Sequence, residues 1–237
     1  DGKWARLSHE AIERAETIYG PSIATLKGKT TRRTPERVVS DYINIPHKVL
    51  QANKHLELSG DIFFVNKIPF FATVSNHIKF TTAEFLKDRK IKTILVAISH
   101  VTALYASRGF RITTLMMDGE FAPIRSDLAE MKITLNLTAA NEHVPQIERQ
   151  IRVVKERVRA TRHSLPFKVI PSLMVVKLVY FSIMWLNAFP PKGGVSDNIS
   201  PRGIVTGVQF DYHKHCKLTF GSYVQAHEEP NPTNSQA

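Results

Sequence analysis

The sequence predicts an α/β protein in which a mixed sheet, three antiparallel strands followed by parallel ones, is covered by helices on both faces. Two observations predict it. Between positions 61 and 85 three short runs rich in Phe, Ile, Val and Thr follow one another, broken at Asn66-Lys67 and at Ser75-Asn76-His77, the pattern of a meander. After that the period changes, and helix, strand, short helix, strand and helix follow in turn, an order that builds parallel strands with helical crossovers.

In chain order, Ser8 is a cap for a helix over 8–19 with Ile12, Ala15 and Ile18 or Tyr19 on one side, stopped by Gly20-Pro21. The segment from Lys27 to Arg37 carries five cations and one acid among turn-forming residues. Its Gly28-Lys29-Thr30 lacks the earlier glycine that a phosphate loop requires, so Lys27, Lys29, Arg32 and Arg33 read as a basic linker or phosphate-contacting arm.

The three meander strands are expected at Asp61 to Val65, Phe70 to Val74 and Lys79 to Phe85. Lys92 to Arg108 has a broad apolar helical face and Gly109 at its C′ position. Ile112 to Met117 is a strand ending on Asp118, Pro123 to Glu130 a short helix, and Lys132 to Leu137 a further strand. Pro145 suits the first position of a helix, and Ile147, Ile151, Val154 and Val158 recur behind it at helical spacing as the buried stripe. Beside that stripe runs a row of Glu148, Arg152, Lys155 and Arg159, which reads either as a solvated face with a Glu148–Arg152 pair or as a ladder for phosphates.

Leu173 to Leu186 is nearly all apolar, but Pro171 precedes it, Lys177 interrupts it, and it falls short of the roughly 20 residues a bilayer needs. A buried or interface helix is expected, and no membrane partner. His213, His215, Cys216 and His227 lack the paired spacing of structural zinc. The tail after Glu228 has a disordered composition.

Composition bounds the rest. An apolar fraction of 43% excludes wholesale disorder, and 32 Lys and Arg against 21 Asp and Glu give a formal charge of +11 that favours a polyanionic partner. One cysteine rules out an intrachain disulfide and suits a reducing compartment. Asp1-Gly2-Lys3-Trp4 opens without the apolar run of a secretory signal, and with no initiator Met the chain reads as a piece of a longer one.

Asp61, Asp118 and Glu148 stand out as acids on two strands and a helix start. A strand of an open α/β sheet delivers side chains to a site at its carboxyl end. Two such acids and one on a helix are the parts needed to hold two divalent cations, which require hard oxygen ligands. Glu120, Asp127 and Glu142 compete, but Glu148 lies inside its helix whereas Glu142 precedes Pro145.

Gly60-Asp61-Ile62-Phe63-Phe64-Val65-Asn66-Lys67-Ile68-Pro69-Phe70, Met117-Asp118-Gly119-Glu120-Phe121 and Val144-Pro145-Gln146-Ile147-Glu148-Arg149 together resemble the catalytic core of an integrase from a copia-type retrotransposon polyprotein. Trp185-Leu186-Asn187-Ala188-Phe189-Pro190, Ser200-Pro201-Arg202 and the stretch from His215 to Gln225 resemble the connector that follows such cores. The chain departs from the family pattern in carrying a single Gly between Asp118 and Glu120 and Val144-Pro145 ahead of the helix.

The resemblance implies a ribonuclease H-like fold: a linker region over 1–55, the core over 56–165, a helical and short β extension over 166–228 and a disordered tail over 229–237. It implies Asp61, Asp118 and Glu148 as catalytic residues and ligands of two Mg²⁺ or Mn²⁺ ions. It further implies 3′-end processing and strand transfer of element DNA into target DNA, with Arg152, Lys155 and Arg159 on phosphates. The other expected partners are a further copy of the chain and the rest of the polyprotein, and the expected location is intracellular, nuclear at integration. A degenerate nucleic-acid-binding module and a ribonuclease H-like nuclease are the alternatives.

Overall fold

The structure, a computed structural model, describes residues 8–20, 22, 42–138 and 144–223. Contacts divide the chain between Val39 and Ser40. Among the described residues, the first part holds α1 (His9–Tyr19), whose Ser8 hydroxyl accepts the Ala11 N–H at 3.2 Å. None of its residues is buried. Lys27, Lys29, Arg32 and Arg33 lie outside the described residues, as do Glu142, His227 and the tail after Glu228.

The second part begins with α2 (His47–Ala52), ahead of β1 (His55–Val65), β2 (Ile68–Ser75) and β3 (Thr81–Phe85). Then come α3 (Ile91–Ala106), β4 (Arg111–Met117), a 3₁₀ turn (Gly119–Ile124), α4 (Arg125–Glu130) and β5 (Thr134–Leu137). The chain finishes with α5 (Pro145–Ser164), α6 (Ser172–Ala188), α7 (Pro201–Thr206) and α8 (Tyr212–His215).

One five-stranded sheet runs in the order β3-β2-β1-β4-β5. β1, β2 and β3 pair antiparallel, while β4 lies parallel to β1 and β5 parallel to β4. That is the mixed arrangement expected from the element order, antiparallel strands first and parallel ones after, and it matches the ribonuclease H-like sheet that the resemblance implies. Asn66 and Lys67 both adopt positive φ, 51° and 67°, so the β1–β2 link is a two-residue hairpin of the kind that matches strand twist.

The strand that carries Asp61 begins earlier than expected, at His55 and not at Asp61. Leu56 and Leu58 alternate into the core ahead of Gly60, and Gly60 is a close approach inside the strand, not a break before it. A Cβ there would stand 3.1 Å from the Phe71 ring, so glycine lets the buried ring lie over β1. Asp61 is therefore a mid-strand residue, opposite Ala72 of β2.

The sheet has two apolar faces. Leu56, Leu58, Phe71, Ile112, Leu115, Met117 and Leu135 pack with α3, the 3₁₀ turn, α4 and α7, and Ile45 and Leu50 join them, so the segment before β1 shares this core. Phe63, Phe70, Ala72, Val74 and Ala83 pack with Ile147, Ile151, Val154 and Val158 of α5 and with Val176, Leu178, Val179 and Ile183 of α6. The stripe read on α5 is thus its buried side, and the apolar run after Pro171 is a core helix. No helix among the described residues is long and apolar enough to cross a membrane. Of the β character expected in the extension, the described residues show an antiparallel bridge between Val208 and Tyr42.

Candidate functional site

Side-chain alternation aims the acids. On β1, Leu56 and Leu58 face the first cluster while Phe63 and Val65 face the second, so Asp61 shares the α5 side with Phe63. On β4, Leu115 and Met117 face the first cluster and Met116 the second, and Asp118 follows in the phase of Met116. An irregularity between Leu56 and Glu57 shifts the β1–β4 register, after which Glu57, Leu58 and Ser59 pair with Thr114, Leu115 and Met116. Two residues beyond Ser59 and Met116 stand Asp61 and Asp118. Without the shift the two acids would be out of step by one residue and face opposite sides.

Asp118 ends β4 and is half-buried, and its Oδ1 accepts the Thr138 hydroxyl at 3.3 Å. The Thr138 N–H donates to the Met117 carbonyl at 3.1 Å, so the residue just past β5 is fixed by β4 before it orients the acid. Sequence reasoning missed Thr138. Its position directly after a strand that parallels the acid-bearing one is the signal that points to it.

Glu148 sits on the exposed side of the first turn of α5, where the helix dipole favours a carboxylate. Its helix is held over the acids by Ile147 and Ile151 and by Gln150, whose amide donates to the Thr81 hydroxyl at 2.8 Å. Arg152 and Arg159 are exposed and Lys155 is half-buried. Arg152 has an ion pair with Glu156 at 3.9 Å, one turn on. Arg162, further along, is structural: it donates to the carbonyls of Phe167 and Lys168 and ties the end of α5 to the loop before α6.

The acids meet electrostatically at Asp61. Burial, opposed by the Ile62 N–H that donates to Oδ1 at 2.6 Å, and the negative charges of Asp118, Glu120 and Glu148 push its pKa from 3.8 up to about 6. Glu120 belongs to this neighbourhood and is bound by Arg89, whose Nη2 lies 3.0 Å from Oε2. Asp127 lies in the first turn of α4, beyond the 3₁₀ segment.

Among the described residues, no three His, Cys, Asp or Glu side chains stand in a ligating arrangement. Asp61, Asp118 and Glu148 therefore share a neighbourhood without closing on a common point. The donor set itself fits a divalent cation, being carboxylates alone, hard oxygen donors whose mutual repulsion a cation would relieve. His213 is exposed and Cys216 half-buried in the C-terminal segment, and neither takes part in a ligand group among the described residues.

No protein-family model and no curated protein sequence matches the chain. Among solved structures, the catalytic core domain of BIV integrase is similar over 68% of this chain and 97% of its own, with 16% identity and a TM-score of 0.48. The HTLV-2 integrase catalytic core domain, solved in complex with magnesium in a trimeric form, is similar over 64% of this chain and 96% of its own, with 14% identity and a TM-score of 0.46. At such values the fold rests on the strand order and register of this chain itself.

Proposed function

We propose that the chain is a metal-dependent polynucleotidyl transferase of the integrase type, which processes 3′ ends of an element's DNA and joins them to target DNA. The observation that supports it is the placing of Asp61 and Asp118 on the same face of the neighbouring strands β1 and β4, just past their parallel pairing, where the charges of Asp118, Glu120 and Glu148 act on Asp61. Asp61, Asp118 and Glu148 would hold Mg²⁺ or Mn²⁺, two ions in this reading, which supply charge stabilisation to the entering and leaving oxygens of a phosphodiester. The remaining work belongs to the chain's own groups. Thr138 holds the Asp118 carboxyl, the Ile62 N–H holds that of Asp61, and Arg152, Lys155 and Arg159 orient the DNA through its phosphates. In the same reading the element is a copia-type retrotransposon, the chain works within a polyprotein, associates with further copies of itself and acts in the nucleus.

A second reading, a nucleic-acid-binding module with the fold but without the chemistry, draws on the open spacing of the acids. Strand transfer of a labelled element-end duplex with Mg²⁺ or Mn²⁺ separates the two. Under the transferase reading Glu148→Gln reduces products to background and leaves DNA binding intact. Binding without products from the native chain under either metal leaves the module.

A further inference from the structure

A second basic surface lies at the same end of the sheet as the acids, and α5 takes no part in it. Phe64 lies on β1 three residues beyond Asp61, a distance of about 10 Å at strand rise. There the Asn66-Lys67 hairpin meets the end of β3, where Phe70 pairs with Phe85 and the Leu86 N–H donates to the Pro69 carbonyl. Two rings are exposed at this rim, Phe64 at 44% on the sheet face away from α5 and Phe85 at 47% on the α5 side.

Cations lie on the two loops at this rim. Lys67 on the hairpin and Lys87, Arg89 and Lys90 in the loop after β3 are all exposed. The acids among them are engaged: Asp88 accepts the Lys90 N–H and the Thr93 hydroxyl, which fastens the start of α3, and Glu120 is held by Arg89. The Arg89 guanidinium lies 5.8 Å from the centre of the Phe64 ring, so a flat cation and a flat ring stand together at the rim.

We propose that this rim is a binding surface for an unpaired polynucleotide strand, with a base stacked at Phe64 and its phosphates taken by Arg89 and the neighbouring lysines. The proposal extends the polynucleotidyl transferase reading by adding a single-strand site on the flank of the acids away from α5. Cations alone would serve a duplex, which offers its phosphates outward. An exposed ring adds affinity only where a base face is free to stack on it.

The test uses the whole chain and two fluorescent probes, a thymidine 20-mer and a 20-base-pair duplex, with anisotropy measured at one salt concentration. Phe64→Ala should weaken the single strand by about tenfold or more, the size of one stacked base, and change duplex binding less than twofold. Phe64→Leu, which keeps apolar bulk and lacks the ring, should behave like the alanine variant, and Arg89→Gln should also weaken the single strand. Thermal unfolding confirms that each variant is folded. Unchanged single-strand affinity in Phe64→Leu, or equal losses on both probes, overturns the proposal. Strand transfer is not part of this readout, so a chain without transferase activity that shows the single-strand pattern upholds the site while sinking the enzymatic reading.

Discussion

The side-chain amide of Asn187 on α6 closes both main-chain groups of Thr81 on the edge strand β3: its Oδ1 accepts the Thr81 N–H at 2.9 Å and its Nδ2 donates to the Thr81 carbonyl at 2.7 Å. Among the described residues β3 has a strand neighbour on one side only, and this amide takes the place of a further strand at that point. Because Gln150 of α5 binds the hydroxyl of the same threonine, both helices on that face are registered to one residue. Asn187→Leu should lower stability by roughly 2–4 kcal/mol, since it strands two buried main-chain groups. Urea unfolding checks this, with the midpoint expected to fall and the slope to stay the same.

Asp61 gives the chain an acid-side signature. Its pKa is about 6 in the folded state against the ordinary 3.8, so between those values the folded state binds more protons than the unfolded one and stability falls as pH rises. The contribution is complete below about 3.8 and lost as pH passes about 6. With part of the carboxyl reaching water, the penalty is on the order of 1 kcal/mol. In metal-free buffer Asp61→Asn should match the native chain at pH 4 and exceed its stability by about that amount at pH 7. Parallel stability curves for the two proteins across this range would contradict the assignment.

Divalent cations should relieve the same repulsion. At pH 7.5, Mg²⁺ or Mn²⁺ at about a hundred times its dissociation constant should add roughly 2.7 kcal/mol to folding stability, by preferential binding to the folded state. Asp61→Asn and Glu148→Gln should lose most of that gain. Calorimetric melting with and without metal provides the measurement, and an unmoved transition in the native chain would remove the metal from the reading.

The cationic face of α5 makes a separate, salt-dependent prediction. If Arg152, Lys155 and Arg159 neutralise three phosphates, changing all three to Gln should make the slope of log affinity against log salt shallower by roughly 2.7 on duplex DNA, for every sequence alike. Arg162→Gln provides the contrast: its guanidinium serves the Phe167 and Lys168 carbonyls, so stability should drop while the slope holds. A triple variant with the native slope would leave that face as merely solvated.

Much of the fold was legible in local pattern. The stripe at Ile147, Ile151, Val154 and Val158 had the period of a one-sided helix, and it is the buried side of α5. The hairpin at Asn66-Lys67 and the glycine after α3, Gly109 with φ of 81°, lay where turn chemistry put them. The start of β1 was not legible, because a glycine in sequence looks like a break until the ring of Phe71 is seen lying against it.

Sequence by itself determined the α/β class, the order of elements, the one-sided burial of α5, and an acid just past β4 and another in the first turn of α5, since each depends on periodicity or on a residue's own neighbours. Tertiary structure alone decided which residues surround them. Thr138 meets Asp118 across 20 positions, Arg89 meets Glu120 across 31, and Asn187 meets Thr81 across 106. Such pairings depend on how the strands and helices are assembled, and the common face of Asp61 and Asp118 depends on the register shift at Leu56–Glu57, since a shift of one residue exchanges the two faces of a strand. Local patterns place an acid on a strand, whereas only the assembled sheet brings its charge to bear on Asp61.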